Sequence, residues 1–347
     1  MKAAVLTDRG KIEISDVETP EAGPGQVLVS PRFAGICGTD VHIYQGEFEG
    51  RVTYPTIMAH EFAGFVEEVG EGVEEFRPGD KVTVDPIIHC GRCAACREGN
   101  FSACGNLKLL GVDMDGGFAE RVVSPAENVF KLPERVSVRD GAAVELFSVA
   151  THAARRGRID PADFVVVLGA GRLGLTVLSV LTATGAGTLV ATDVLEYRLD
   201  IARKLGADYC INASKKDVVK EIESITGGRG ADRVFECVGH FERSASGLAP
   251  VGEAAAIVRP AGRVVVMGQG PSSSEVFWRP FVWKEATIVA SRVSRGEFPR
   301  AISMLEAGRV DPSPLVTHEV PLDYVSDAFR MLVEGDEQAV KVLVRIE

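Results

Sequence analysis

Positive charge is scarce in this chain. Lysine and arginine number 38 against 49 aspartates and glutamates, a formal net charge of −11. That balance argues against nucleic acid or an anionic membrane as the main partner. Long apolar runs are lacking as well. The uncharged stretch Leu173–Thr192 is cut by Gly174, Gly185 and Gly187 and is rich in threonine. It reads as a buried helix, a turn and a strand, not as the ~20 predominantly apolar residues of a membrane span. The opening Met1-Lys2-Ala3-Ala4-Val5 leads into no apolar segment of a secretory leader, so the expectation is a cytoplasmic protein. Cysteine is sparse and odd in number: seven, four of them between positions 90 and 104. Secreted disulfide scaffolds are short and carry even sets of cysteines. One tight cluster in a long chain points to metal instead.

With 347 residues, 46% of them hydrophobic, there is room for two domains of roughly 100–200 residues each. The first third alternates short apolar runs with glycine and proline breaks, as in Ala3–Leu6, Gln26–Phe33, Phe62–Val69, Lys81–Val84 and Phe118–Val123. Such spacing suggests a barrel or sandwich of β-strands. Near residue 150 the pattern changes. Phe164–Leu168 is continuously apolar, the mark of a strand buried on both faces of a parallel sheet. Strand-like Thr188–Thr192, Arg233–Phe235 and Arg263–Met267 then alternate with helix-like Arg172–Thr184, Glu196–Leu205 and Asp217–Ile225. This alternation predicts a doubly wound α/β domain over about 150–290. A helix over Ala301–Ala307 and a strand over Val340–Ile346 follow.

Gly169-Ala170-Gly171-Arg172-Leu173-Gly174 comes directly after the buried strand and opens a helix. The first glycine permits a tight turn, the second lets a pyrophosphate approach the backbone, and the third allows close helix–strand packing. Asp193 ends the next strand, where a carboxylate accepts hydrogen bonds from ribose hydroxyls and repels a 2′-phosphate. The set favours NAD over NADP, and Arg198 on the following helix joins it as a candidate. The alternative for Asp193 is a helix N-cap.

Cys90, Cys93, Cys96 and Cys104 form C-x2-C-x2-C-x7-C. Four thiolates on one loop close a tetrahedron around zinc, a structural site with no open position. A second constellation is scattered: Cys37, His60-Glu61 and Glu145. Mixed sulfur, nitrogen and oxygen ligands from distant segments are how a catalytic zinc keeps a place for water or substrate. Spacing alone favours the plainer alternatives: Cys37 as a small buried hydrophobe, His60 as a core histidine and Glu145 as a surface acid.

Taken in order, Gly35-Ile36-Cys37-Gly38-Thr39-Asp40-Val41-His42, His60-Glu61-Phe62-Ala63-Gly64, the four-cysteine loop, Gly116-Gly117-Phe118-Ala119-Glu120 and the glycine-rich turn resemble the zinc-dependent medium-chain alcohol dehydrogenases over essentially the whole chain. Glu145 stands where other members carry a zinc cysteine, a substitution typical of the sorbitol and threonine dehydrogenase branch. The resemblance implies a GroES-like β-barrel catalytic domain, 1–149 with 291–347, and a Rossmann cofactor domain, 150–290. It implies two zinc ions per chain, one structural and one catalytic, and NAD. Cys37, His60 and either Glu61 or Glu145 would bind the catalytic zinc, with Asp40 holding the far nitrogen of His60. Thr39 and His42 match the proton-relay positions. Lys341 matches a basic position near the zinc-adjacent glutamate and the cofactor phosphates. Arg292 or Arg295 falls where sorbitol enzymes carry a substrate-contacting arginine. Ala59 departs from the pattern, which has glycine before the histidine.

The expected activity is zinc- and NAD-dependent oxidation of a secondary alcohol on a polyol or aldonate-type sugar acid, by a homodimer or homotetramer. The alternatives are a threonine or amino-alcohol dehydrogenase and a non-catalytic NAD-binding regulator.

Overall fold

A computed structural model describes the chain except residues 49, 240–241, 271–275 and 336–337. It divides into two compact units, Met1–Ser148 with Val293–Glu347, and Val149–Arg292.

The first unit is built on antiparallel strands. A seven-stranded sheet runs Val129–Lys131, Lys81–Val84, Glu61–Val69, Gln26–Ile36, Lys341–Arg345 and Val316–Pro321, with Val122–Pro125 also pairing with Gln26–Ile36. A three-stranded sheet, Lys11–Asp16, Lys2–Asp8 and Thr56–Ile57, shares its core. This is the GroES-like barrel. The C-terminal strand completes it, because Val342–Arg345 pair with Phe33–Ile36. The run Phe118–Val123 becomes strand only from Val122. Before that, Gly116, Gly117 and Phe118 donate their amides to the carbonyls of Ile57, Ala59 and Met58, a local pairing that regular alternation does not reveal.

The second unit is a six-stranded, wholly parallel sheet in the order Tyr209–Asn212, Thr188–Asp193, Phe164–Leu168, Ala231–Glu236, Val258–Val266, Thr287–Ala290. That is the Rossmann order, which reverses beside the first strand. Every residue of Phe164–Leu168 is buried, which explains its unbroken apolar pattern. Leu173–Thr192 resolves into the helix Arg172–Thr184, a left-handed Gly185 and the strand Thr188–Asp193. Among the described residues, no helix is long and apolar enough to cross a membrane.

Candidate active site

The strand Gln26–Ile36 hands the chain to Cys37, which caps the short helix Gly38–Tyr44. Asp40, fully buried, accepts the Cys37 amide at 2.8 Å through Oδ2. Its Oδ1 lies 3.5 Å from His60 Nδ1. One carboxylate therefore registers two segments that are distant in sequence. His60 is aimed by Ala59, whose φ of 79° is left-handed, and whose carbonyl accepts the Gly117 amide at 2.8 Å. That conformation costs a side-chain-bearing residue about 1 kcal/mol or more. Ala59→Gly is therefore expected to raise the melting temperature by roughly 2–4 °C in a calorimetric scan; a fall would show that the alanine methyl is needed for packing.

Glu61 opens the strand Glu61–Val69 opposite Gly35. Its Oε2 accepts a close hydrogen bond from Lys341 Nζ, which also donates to the Ile36 carbonyl at 3.1 Å. Both side chains of this pair are sealed from solvent. Such an ion pair forms only because the C-terminal strand lies beside Ile36. Lys341 is thus not a solvated strand lysine.

Ligand atoms of Cys37, His60 and Glu61 all lie within 4.8 Å of one another. Asp40 Oδ1, His60 Nδ1 and Glu61 Oε1 are buried without a hydrogen-bond partner, a costly arrangement unless something further binds there. A thiol, an imidazole and a carboxylate with spare acceptors fit zinc. Burial lowers the pKa of His60, but the charges of Asp40 and Cys37 outweigh it and raise it well above the usual value. Zinc must therefore displace a proton to bind. Glu145, in the first turn of the helix Val144–Gly157, lies outside this close trio but near enough to feel it. Burial, then the charge of Glu61, pushes its carboxyl up to about 8 against the pull of His60 and Lys341.

The four loop cysteines are free thiols whose sulfurs lie within 4.8 Å of one another. Cys90 and Cys104 are 3.6 Å apart, and Cys93 and Cys104 3.9 Å, far beyond the ~2.05 Å of a disulfide. Hydrogen bonds from the Arg92 and Cys93 amides pull the Cys90 thiol down to about 6, toward the thiolate that a metal requires.

In the parallel unit, Gly169 has a φ of 90°, and a Cβ on Gly174 would stand 1.8 Å from the Gly169 carbonyl oxygen. Both positions need glycine for the turn itself. Gly171 differs. A Cβ there would meet only Arg198 Nη1, at 3.9 Å, so its bareness leaves room for a ligand. Arg172 and Leu173 begin the helix behind it. Asp193 accepts the Ala170 amide at 2.8 Å and the Leu195 amide at 3.0 Å, tying the turn to the next strand. Arg198 Nη1 lies 3.6 Å from the same carboxylate. The residues fit a dinucleotide.

Residues 23–134 match the family model of the alcohol dehydrogenase GroES-like domain, and residues 173–307 match that of the zinc-binding dehydrogenase. The chain belongs to the zinc-dependent medium-chain alcohol dehydrogenases. It is an alcohol oxidoreductase of that family, with zinc and NAD as cofactors. The dehydrogenase is 34% identical to sorbitol dehydrogenase of Bacillus subtilis, over 99% of this chain and 97% of that one. It is 35% identical to 2-dehydro-3-deoxy-L-galactonate 5-dehydrogenase of Pseudoalteromonas atlantica, over 94% and 92%. The crystal structure of RspB from Escherichia coli CFT073, complexed with NADH, superposes with a TM-score of 0.92 at 34% identity, covering 99% of each chain.

The remaining expected residues of this dehydrogenase fall in different places. Thr39 is half-buried on the helix that begins after Cys37, and His42, one turn on, pairs with Glu47 at 2.6 Å. Arg292 is exposed. Arg295, the other candidate for the substrate, holds the four-cysteine loop. Its Nε donates to the carbonyl of Gly99, and its Nη2 to that of Glu98 at 3.5 Å. It braces the backbone of the four-cysteine loop, an attraction to carbonyl dipoles that no local motif announces. The Lys341–Glu61 pair is equally hidden from a reading of the sequence.

Proposed function

We propose that this dehydrogenase oxidises a secondary alcohol of a polyol or sugar acid to the ketone, passing hydride to NAD. The observation that carries the reading is the buried trio Cys37, His60 and Glu61 with the additional acid Glu145 beside it. The names of the sorbitol and galactonate relatives support the substrate class. Zinc held by the trio would supply the positive charge that acidifies a hydroxyl at neutral pH. Asp40 orients His60 and the Cys37 amide. Lys341 holds Glu61 in place. Thr39 would take the substrate proton while passing its own toward the cofactor ribose, and His42, steered by Glu47, would deliver it to water.

Initial rates of NAD reduction on matched polyols and aldonates test the reading. One class is expected to exceed threonine and amino alcohols by at least tenfold, about 1.4 kcal/mol of transition-state preference; threonine winning would overturn it. Should aldonates lead, Arg292→Ala should remove their advantage. Asp193 is assigned to the ribose. Asp193→Ala should raise the KM for NAD at least tenfold more than that for NADP, and an unchanged ratio would count against the role.

The same reading takes the protein as a homo-oligomer. Among the described residues, Thr287–Ala290 ends its sheet, paired on one side only, and Trp278, Val282 and Trp283, shortly before it in the chain, are 61–74% exposed. An open edge with an apolar flank invites a second copy. Sedimentation velocity should find a dimer or tetramer at micromolar concentration; a monomer would end this part of the reading.

A further inference from the structure

Arg233 and Arg263 lie near the end of the parallel sheet away from the nucleotide turn, and Arg156 and Arg158 stand next to them. Arg233 and Arg263 are register partners on the adjacent parallel strands Ala231–Glu236 and Val258–Val266, so their side chains emerge on the same face. Arg233 is level with Val165, near the start of the strand whose far end carries the glycine turn. The end of the helix Val144–Gly157 brings in Arg156, and Arg158 follows it. Arg233 donates to the Arg158 carbonyl through Nε and Nη2, at 3.2 and 3.1 Å. Arg263 Nη1 reaches the Arg156 carbonyl at 3.4 Å, and Arg156 Nε reaches that of Ala290 at 3.1 Å.

These contacts satisfy N–H donors but leave the charge in place, because a carbonyl is a dipole and not an anion. The one ion pair is Arg233 with Asp163, at 3.3 Å. Among the described residues, no carboxylate oxygen comes within 4.0 Å of the guanidinium nitrogens of Arg156, Arg158 or Arg263. Like charges on neighbouring strands destabilise a sheet. Burial, then Arg158, Arg233 and Arg156, hold the Arg263 guanidinium below its usual range. Arg158 has a left-handed φ of 53°, a conformation costly for a bulky residue, and Arg233 grips its carbonyl. In a chain of net charge −11, this concentration of cations has one carboxylate for four guanidiniums. Arg233 is only 16% exposed in its side chain, whereas Arg156 and Arg158 are exposed, so the cluster has a covered floor and an open rim.

We propose that Arg156, Arg158, Arg233 and Arg263 form a binding site for a small, multiply charged oxyanion, a phosphorylated or polycarboxylate compound, separate from the nucleotide turn. Guanidinium forks match phosphate and carboxylate oxygens in pairs, and such a ligand would supply the missing charge.

The test uses the zinc-loaded protein saturated with NADH, so that the nucleotide turn is already filled. Inorganic phosphate, pyrophosphate and citrate are titrated calorimetrically against sodium chloride of equal ionic strength. At least one should bind saturably and raise the melting temperature by about 3 °C at tenfold excess over its Kd. Preference for pyrophosphate or for citrate separates a phosphorylated ligand from a polycarboxylate. Arg263→Gln, and separately the exposed Arg158→Gln, should each weaken binding at least tenfold; the second keeps the test open if the first fails to fold. No saturable heat, or binding that survives both substitutions, overturns the proposal. So does an Arg263→Gln protein that is more stable in plain chloride while wild type ignores all three anions, since the crowding would then be bare strain.

Discussion

Replacing Cys37 with alanine should lower turnover by about a thousandfold or more, roughly 4 kcal/mol of barrier, while NADH still binds within about twofold of wild type. The substitution removes one of three converging ligands but spares the backbone amide that Asp40 accepts, so the turn into Gly38–Tyr44 should persist. Two donors hold zinc weakly, and without that charge a hydroxyl stays protonated at neutral pH. NADH binding is assigned to the glycine turn and Asp193, which the change leaves alone. Steady-state rates and NADH fluorescence titration provide the two readings. Activity within tenfold of wild type would sink the assignment of the trio; a loss of NADH binding would show that the variant is misfolded.

Cys96→Ser should act on stability instead. The loop from Cys90 to Cys104 has little to hold it besides its sulfurs: a four-residue helix Ala94–Arg97, the His89–Phe101 ring contact at 4.2 Å and the Arg295 brace. A structural zinc contributes folding energy outright, about 10 kcal/mol or more in small isolated domains. Even a third of that, in a larger unit, shifts the melting temperature by roughly 10 °C. Cys96→Ser is expected to lose one zinc per chain by elemental analysis, to melt about 10 °C lower and to be cut by protease within the loop. Made in the Cys37→Ala background, it should leave no bound zinc. An unchanged melting temperature would mean that the loop is held by its protein contacts alone.

The features legible in the sequence are those whose physics is local. Phe164–Leu168 announces a strand buried on both faces because its five residues carry the whole signal, and Gly169 to Gly174 marks the turn because each glycine answers to a neighbour in the same short segment. The four-cysteine loop is local in the same sense. Cys37 and His60 are legible only through family resemblance, because their meeting depends on how strands pair. The partners that stay hidden are the most distant: Lys341 finds Glu61 across 280 positions, and Arg295 finds Gly99 across 196. Ala59 hides differently, since its left-handed backbone is imposed by the pairing of Gly116 to Phe118 with residues 57–59 and not by its own preference.

That Lys341–Glu61 pair sets an order of events during synthesis. Glu61 emerges from the ribosome long before Lys341; at about 5–20 residues per second, its buried cation is on the order of half a minute away. The nucleotide unit is one continuous stretch made in between, and it can fold while the barrel still lacks the strand Lys341–Arg345. The four-cysteine loop lies within fifteen positions and can capture zinc early, on the nascent chain. In the trio of Cys37, His60 and Glu61, Glu61 lacks its buried partner until the returning strand docks. Chain connectivity thus lets the four-cysteine loop form before the barrel around Cys37, His60 and Glu61 is closed.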